Sequence, residues 1–286
     1  MREGKIFSLR ICELCHSDAI EVLRPSVIVR DAARAPIRVA ACRCCGLVFQ
    51  LDRFEHVFYH TYYAERYRTV ISGATDPSEQ FLQDQIARGR CLYHSLSPYL
   101  PLSGTVLDVG CGAGGLLLAF AEHGWKVMGI DPDRSAICMG KKRFSFDLTA
   151  CAAESMNIVE GTIDLIVITG SLEHVADLAL VLKKCVSALA TGGLLLIEGW
   201  AYAQARILGG FGHNQKRYFT QQSLTNLFAL YGLQHELSTS LPLTGPTRPH
   251  SIFAIARKDG LIEKCNERVK ADTQALRRML DQHGII

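Results

Sequence analysis

The run Thr105-Val106-Leu107-Asp108-Val109-Gly110-Cys111-Gly112-Ala113-Gly114-Gly115 decides how the rest of this sequence is read. Its first five residues have the β-branched and aliphatic character of a strand, and the glycines behind them open a turn at the mouth of a helix. Such a turn lets a ligand approach bare backbone, and the helix start beyond it offers unpaired N–H groups at a positive dipole end. Working outward, further strands are expected at Lys126 to Ile130, Ile163 to Thr169 and Leu194 to Glu198, with a short one near Leu148 to Cys151. Helices near 113–123, 133–143, 176–190 and 220–231 alternate with them, the pattern that builds a parallel sheet with helices on both faces.

Upstream, Asp76-Pro77-Ser78-Glu79 is a good helix start, and Phe81, Leu82, Ile86, Leu92, Leu96, Tyr99 and Leu100 follow at close to a 3.6-residue period. Residues 56–103 therefore form an aromatic connector and a helical cover. Downstream, His235 to Leu241 and Ser251 to Arg257 are expected as an antiparallel edge pair joined by the Pro- and Gly-rich LPLTGPTRPH, and 259–286 as a charged helical tail. Residues 1–55, with short β-branched runs (Val27 to Val29, Ile37 to Ala40) punctuated by Pro25 and Pro36, make a small ribbon-like module, and 104–258 the main α/β domain.

With 286 residues, 48% of them hydrophobic, the chain can bury one large core and a small satellite. Lys plus Arg number 31 against 28 Asp plus Glu, so the net charge of +3 falls short of the basic footprint of a dedicated nucleic-acid binder. No stretch reaches the roughly 18 apolar residues of a membrane span, and MREGKIFSLRIC lacks the apolar core of a secretory signal. A soluble cytoplasmic protein is expected.

Of the 11 cysteines, six (Cys91, Cys111, Cys138, Cys151, Cys185, Cys265) are scattered singly and read as reduced, small apolar residues. The other five sit in Cys12-x-x-Cys15 and Cys42-Arg43-Cys44-Cys45-Gly46. Cys12, Cys15, Cys42 and Cys45 supply four thiolates for a closed tetrahedral zinc site, and Gly46 permits the tight turn of a knuckle. Cys44 is an alternative ligand, though it fits the knuckle less well. Four protein ligands leave no open position, so the zinc is structural.

The glycine turn also satisfies Gly110-x-Gly112-x-x-Gly115, with Asp131 lying 23 residues beyond Asp108 at the end of Val127-Met128-Gly129-Ile130-Asp131-Pro132. A carboxylate there accepts hydrogen bonds from both hydroxyls of an adenosine ribose, which points to an adenosine cofactor.

The succession LDVGCGAGG, GIDPD, Ala153-Glu154-Ser155, the strand ending in Ser171-Leu172-Glu173-His174-Val175, and Gly192-Gly193 resembles the class I S-adenosylmethionine-dependent methyltransferases over roughly residues 100–257. That resemblance implies a Rossmann-like α/β fold, a seven-stranded sheet with one antiparallel edge strand. It implies that Asp108, Gly110 and Gly112 hold the methionine end, that Asp131, beside Pro132, binds the ribose, and that Glu154 or its neighbours line the adenine. Thr169 to Ser171 would border the methyl donor. CxxC followed 26 residues later by CxxCG and Leu47-Val48-Phe49, then a run of tyrosines, is similar to zinc-containing methyltransferases of sugar, polysaccharide and natural-product biosynthesis.

A sulfonium donor is already activated, so the protein has chiefly to align the acceptor and exclude water. If the acceptor is a hydroxyl, His174, just past the fourth strand, is the first candidate base, with capping or packing as its alternative role. His213, in a loop expected to overhang the site, is the second. Lys216 and Arg217 either pair with an anionic acceptor or are solvated loop charges. Tyr62, Tyr63 and Tyr67 either close over the methyl donor or glue the zinc module to the main domain, and His56 and His60 read as aromatic packing.

These readings favour a methyltransferase with a small-molecule acceptor, a sugar, sugar nucleotide or secondary metabolite, and O-transfer ahead of N- or C-transfer. The alternatives are an RNA methyltransferase reading through the zinc module, a nicotinamide oxidoreductase, and a non-catalytic binding protein. Near-neutral charge, with Glu13, Asp18, Glu21 and Asp31 among the arginines of the module, argues against RNA. No hydride-transfer constellation supports the oxidoreductase.

Overall fold

The computed structural model describes residues 5–24, 26, 36–200, 212–248 and 251–259. The β-branched run at Val27 to Val29 and all but the first residue of the expected helical tail lie outside them. Among the described residues no helix is long and apolar enough to cross a membrane.

The N-terminal part is built from short strands, β1 (Ile6–Ser8), β2 (Ile20–Arg24), β3 (Val39–Cys42), β4 (Val48–Gln50) and β5 (Asp52–Phe54). The aromatic stretch behind them is helical throughout, as α1 (His56–Thr61), a π-helical turn (Tyr62–Arg66) and α2 (Tyr67–Ser72), which ends at Gly73 in the left-handed region. α3 (Glu79–Leu96) starts where the sequence predicts, the Ser78 hydroxyl accepting from the Phe81 N–H at 3.1 Å. It buries Leu82, Gln85, Arg88, Gly89, Leu92 and Leu96. A Cβ on Gly89 would stand 2.2 Å from the Leu116 carbonyl oxygen, so only glycine lets α3 lie this close to the glycine turn.

The main domain then alternates as expected: β6 (Thr105–Val109), α4 (Leu118–Glu122), β7 (Lys126–Asp131), α5 (Arg134–Arg143), β8 (Asp147–Ala150), β9 (Ile163–Thr169), α6 (Leu178–Ala188) and β10 (Leu189–Trp200). β11 (Arg217–Tyr218), α7 (Gln221–Leu230), β12 (Gln234–Thr239) and β13 (Ser251–Arg257) complete it. The helix expected at 113–123 is shorter, a 3-10 turn at Gly115–Leu117 leading into α4. The sheet order is β12-β13-β10-β9-β6-β7-β8, with β10, β9, β6, β7 and β8 parallel and β13 antiparallel to both its neighbours. The antiparallel strand is therefore one in from the edge rather than at it, because β13 inserts between β10 and β12. β6 and β9 are buried almost end to end, the continuous apolar strands of a sheet covered on both faces.

The N-terminal ribbon is not closed on itself. β2, β3 and β4 form an antiparallel sheet whose fourth strand is β11, with Arg217 opposite Phe49 and Tyr218 opposite Val48. Gln50 Nε2 donates to the carbonyls of Gly212 (2.7 Å) and Gln215 (2.9 Å), and Asn226 Nδ2 to that of Cys45 (3.2 Å). One apolar cluster runs from Leu14, Leu47 and Phe49 through Leu224 and Phe228 to Leu107 and Ile166, so ribbon and sheet share a core.

Candidate functional site

At the carboxyl ends of β6, β7 and β9 lies a cavity of about 650 Å³. Asp108, Gly110 and Gly112 line it from the glycine turn, Asp131 and Pro132 from the end of β7, and Glu154, Thr169, Ser171 and His174 from the segments after β8 and β9. Tyr63 and Tyr67 line it from the aromatic helices, with His56 and His60. Residues far apart in sequence are thus gathered where an open α/β sheet binds ligands.

The turn is held by β7, the N–H groups of Gly110 and Cys111 both donating to the Ile130 carbonyl at 2.8 and 3.0 Å. Gly110 has φ +88°, and a Cβ there would fall 2.4 Å from that of Ser171, so the position tolerates only glycine. Asp131 accepts from the N–H of Gly112 on one carboxylate oxygen and from that of Asp133 on the other, each at 2.8 Å. Burial pushes its carboxyl up to about 6 against the pull of these two donors. Each oxygen keeps a lone pair, so the carboxylate can take a pair of hydroxyls.

Asp108 is 1% exposed and its Oδ1 has no partner. Burial lifts its carboxyl to about 7, with Arg88 pulling down and the carboxylates of Asp131 and Glu198 pushing up. An orphaned buried carboxylate oxygen in a cavity wall is the complement of a ligand ammonium group. The set of Asp108, the glycine turn and Asp131 therefore fits an amino-acid-bearing adenosine such as S-adenosylmethionine.

In the segment after β9, His174 Nδ1 lies 2.8 Å from the Asn214 carbonyl oxygen, to which it must donate, and the Tyr63 hydroxyl donates to the same oxygen. The imidazole proton is thereby fixed on Nδ1, leaving Nε2 as an acceptor. Burial, with Lys216, Arg248 and Arg217 nearby, pushes the ring down to about 4, so it is neutral at physiological pH. Tyr63 is driven well above the ordinary phenol range by burial and stays protonated.

Other expected residues are placed differently. His213 is fully buried and outside the cavity lining, packed edge-on against the rings of Phe54, Phe58 and Tyr62. Its neighbour Asn214, through its backbone carbonyl, is what reaches the site. Lys216 and Arg217 are neither solvated nor in the cavity lining, both being 0% exposed. Lys216 Nζ donates to the His174 carbonyl at 2.5 Å and stands 3.6 Å from the Tyr59 ring centre. Arg217 donates to the carbonyls of Leu172, Val175 and Ala176 at 3.3, 2.6 and 3.4 Å. Glu154 lines the cavity, but its Oε1 accepts from the N–H groups of Ala176 (2.5 Å) and Asp177 (3.1 Å) and so also anchors the segment after β9. Cys111 is a buried small residue whose Sγ would lie 2.7 Å from a Cβ on Gly129.

The cavity has further walls that sequence motifs did not single out. Gln85 on α3 donates to the Cys111 carbonyl at 2.9 Å and accepts from the Ala113 N–H at 3.2 Å, bracing the glycine turn. Arg88, one helical turn on, pairs with the buried Glu198 at 3.1 Å, and Arg248 comes from the loop before β13. The i, i+3 spacing of Gln85 and Arg88 on the buried face of α3 was their only signal.

Away from the cavity, the sulfurs of Cys12, Cys15, Cys42 and Cys45 all lie within 4.8 Å of one another, with Cys12 and Cys45 at 3.6 Å and Cys15 and Cys42 at 3.4 Å. Four thiolates around zinc at about 2.3 Å stand roughly 3.8 Å apart, so this cluster fits a tetrahedral ion. Cys44 is outside the quartet, its N–H pointing to Cys42 Sγ at 3.4 Å.

A family model described as a methyltransferase domain matches residues 79–237. The ubiquinone biosynthesis O-methyltransferase of Nitrobacter winogradskyi is 37% identical over 95 residues, 32% of this chain and 36% of that protein. The mitochondrial ubiquinone biosynthesis O-methyltransferase of Mus musculus is 30% identical over 184 residues, 56% of this chain and 49% of that protein. The chain thus spans about a third to a half of the length of these curated relatives. The crystal structure of an S-adenosylmethionine-dependent methyltransferase from Aquifex aeolicus, 15% identical, superposes with a TM-score of 0.50 over 64% of this chain and 100% of that one, which is a likeness of fold.

Proposed function

Since the chain belongs to the methyltransferase domain family, we propose that it is an S-adenosylmethionine-dependent methyltransferase that methylates a small molecule, a sugar, sugar nucleotide or natural product, on a hydroxyl oxygen. The observation that carries the reading is the imidazole of His174 in the wall of the cavity, its Nδ1 held on the Asn214 carbonyl so that Nε2 is left as the acceptor. The O-methyltransferase names of the curated relatives agree with it.

In this reading Asp108 takes the amino group and the backbone of Gly110 and Gly112 closes around the methionine end. Asp131 holds the ribose hydroxyls, Pro132 and Glu154 border the adenine, and Thr169 and Ser171 flank the reacting centre. When bound, S-adenosylmethionine supplies a sulfonium methyl already activated for in-line displacement. His174 accepts the acceptor's proton at Nε2 while Asn214 holds its Nδ1–H in place. A ring of low pKa is a weak base but one that stays deprotonated across the working pH range. Tyr63 and Tyr67 exclude water from that side.

The cysteine quartet is proposed to hold zinc in a closed, structural site. It tethers β3 and the turn before β4, on which the Asn226 and Gln50 contacts to the main domain depend.

Calorimetric titration with S-adenosylhomocysteine and with NAD, followed by transfer of labelled methyl to a panel of sugars, sugar nucleotides and phenols, tests the proposal. Binding of the first ligand alone and labelling of a hydroxyl are expected. Labelling of RNA but of no small molecule would overturn the acceptor assignment.

A further inference from the structure

Glu13 lies between Cys12 and Cys15, yet its carboxylate serves neither sulfur. It is held by two guanidiniums, Arg53 Nη1 donating to Oε2 at 3.0 Å and Arg217 Nη2 to the same oxygen at 2.7 Å, while Arg53 Nη2 donates to Oε1. Arg53 and Arg217 are 4% and 0% exposed at their side chains and Glu13 12%, so the triad is nearly dry.

The other side of the Arg217 guanidinium faces the segment after β9. Its donations to the carbonyls of Leu172, Val175 and Ala176 bracket His174 in sequence, and Lys216 takes the carbonyl of His174 itself. A buried guanidinium needs a counter-charge; Glu154 contributes through its field, and the carboxylate that hydrogen-bonds Arg217 directly is Glu13. The position of the imidazole therefore depends on a carboxylate set in the first cysteine pair, some 160 residues earlier.

We propose that Glu13 is a positioning residue for His174, acting through Arg217, so that the cysteine knuckle holds the proton-accepting side chain of the cavity in register. The proposal rests on the reading of His174 as the base for methyl transfer. Without Glu13 the guanidinium loses its fixed anchor, the 172–176 segment relaxes, and the ring slips from the Asn214 carbonyl.

The test compares the zinc-loaded full chain with Glu13→Gln and Arg217→Lys. The lysine keeps the charge beside Glu13 but cannot fork to several carbonyls. Three readouts are taken: bound zinc with S-adenosylhomocysteine affinity, kcat against KM on a labelled acceptor, and the ¹⁵N signals of the His174 ring, assigned by their loss in His174→Asn. Unchanged zinc and affinity, a kcat at least tenfold lower with KM within twofold, and a His174 ring no longer held as a single Nδ1–H tautomer are expected in whichever variant folds. Wild-type kcat and tautomer in either folded variant would overturn the proposal. So would loss of zinc or of cofactor affinity in parallel with kcat in both variants, or failure of both to fold, since Glu13 would then be a stability residue only. If the wild-type chain methylates no acceptor, the base assignment fails, and the tautomer signal still reports on the tether alone.

Discussion

The Tyr63 hydroxyl and His174 Nδ1 lie 3.0 Å apart and both address one acceptor, the carbonyl oxygen of Asn214. A residue of the aromatic helices, one from the segment after β9 and one from the loop before β11 are thus joined at a single atom. The arrangement leaves the imidazole one free nitrogen and no choice of tautomer.

His174→Asn is expected to lower kcat by roughly ten- to a hundredfold, at or below the bottom of the range for a base whose pKa matches the working pH, because the ring is a weak base. Affinity for S-adenosylhomocysteine, measured by calorimetry, should stay within threefold. With the ring pushed down to about 4, wild-type kcat should be level from pH 8 to 5 and fall only below that, as the ring gains its proton. A loss of activity centred near pH 6.5 would mean that the ring is not held as described.

Asp108, lifted to about 7, must be ionised to meet an ammonium group. Binding of S-adenosylhomocysteine should therefore strengthen as pH rises from 6 to 8. At pH 6.5 binding should release a proton, seen as a reaction heat that varies with the ionisation enthalpy of the buffer. In the ligand-free chain the same group works the other way. Its folded pKa lies above its unfolded value, so the stability it contributes is full below about pH 4 and is lost as pH rises through 7. Asp108→Asn should thus raise the melting temperature of the ligand-free protein at pH 8 while weakening ligand binding, and a variant that binds normally would sink the assignment.

Asp131→Asn removes the charge from the hydroxyl-accepting group but keeps most of its shape. Affinity for S-adenosylhomocysteine should drop roughly ten- to a hundredfold, since hydrogen bonds to a charged group contribute about 1.5–3 kcal/mol. Titration of adenosine alone should show the same loss, whereas methionine should be indifferent.

Metal analysis of the purified chain should find one zinc per molecule. Cys15→Ser should lose it and Cys44→Ser should retain it, because only the former belongs to the quartet. Loss of zinc should lower the melting temperature of the whole chain in one transition, given the strand pairing of β4 with β11 and the shared apolar cluster. Two separate transitions would contradict a common core.

Arg88→Leu strands Glu198, which is 0% exposed and, among the described residues, otherwise accepts from the Ser251 hydroxyl at 2.6 Å. An uncompensated buried charge of this kind costs about 3–5 kcal/mol, readable by urea denaturation. Arg88→Leu with Glu198→Met should recover much of it.

The sequence by itself determined the alternating strands and helices of the main domain, the glycine turn, the carboxylate at the end of β7 and the cysteine quartet. These follow from local periodicity, from the backbone freedom of glycine and from ligand spacing, all of which act over a few residues. Asp108, Asp131 and His174 were placed in the cavity wall for the same reason, since each sits at or just past a strand end. Only the tertiary structure decided that β11 completes the ribbon's sheet, that β13 lies inside the sheet edge, and that His213 packs among rings outside the cavity lining. It also decided that Lys216 and Arg217 are buried ties rather than solvated charges. A charge is buried only where partners meet it, and those of Arg217 come from Glu13 and from the carbonyls of 172–176, which no local pattern brings together.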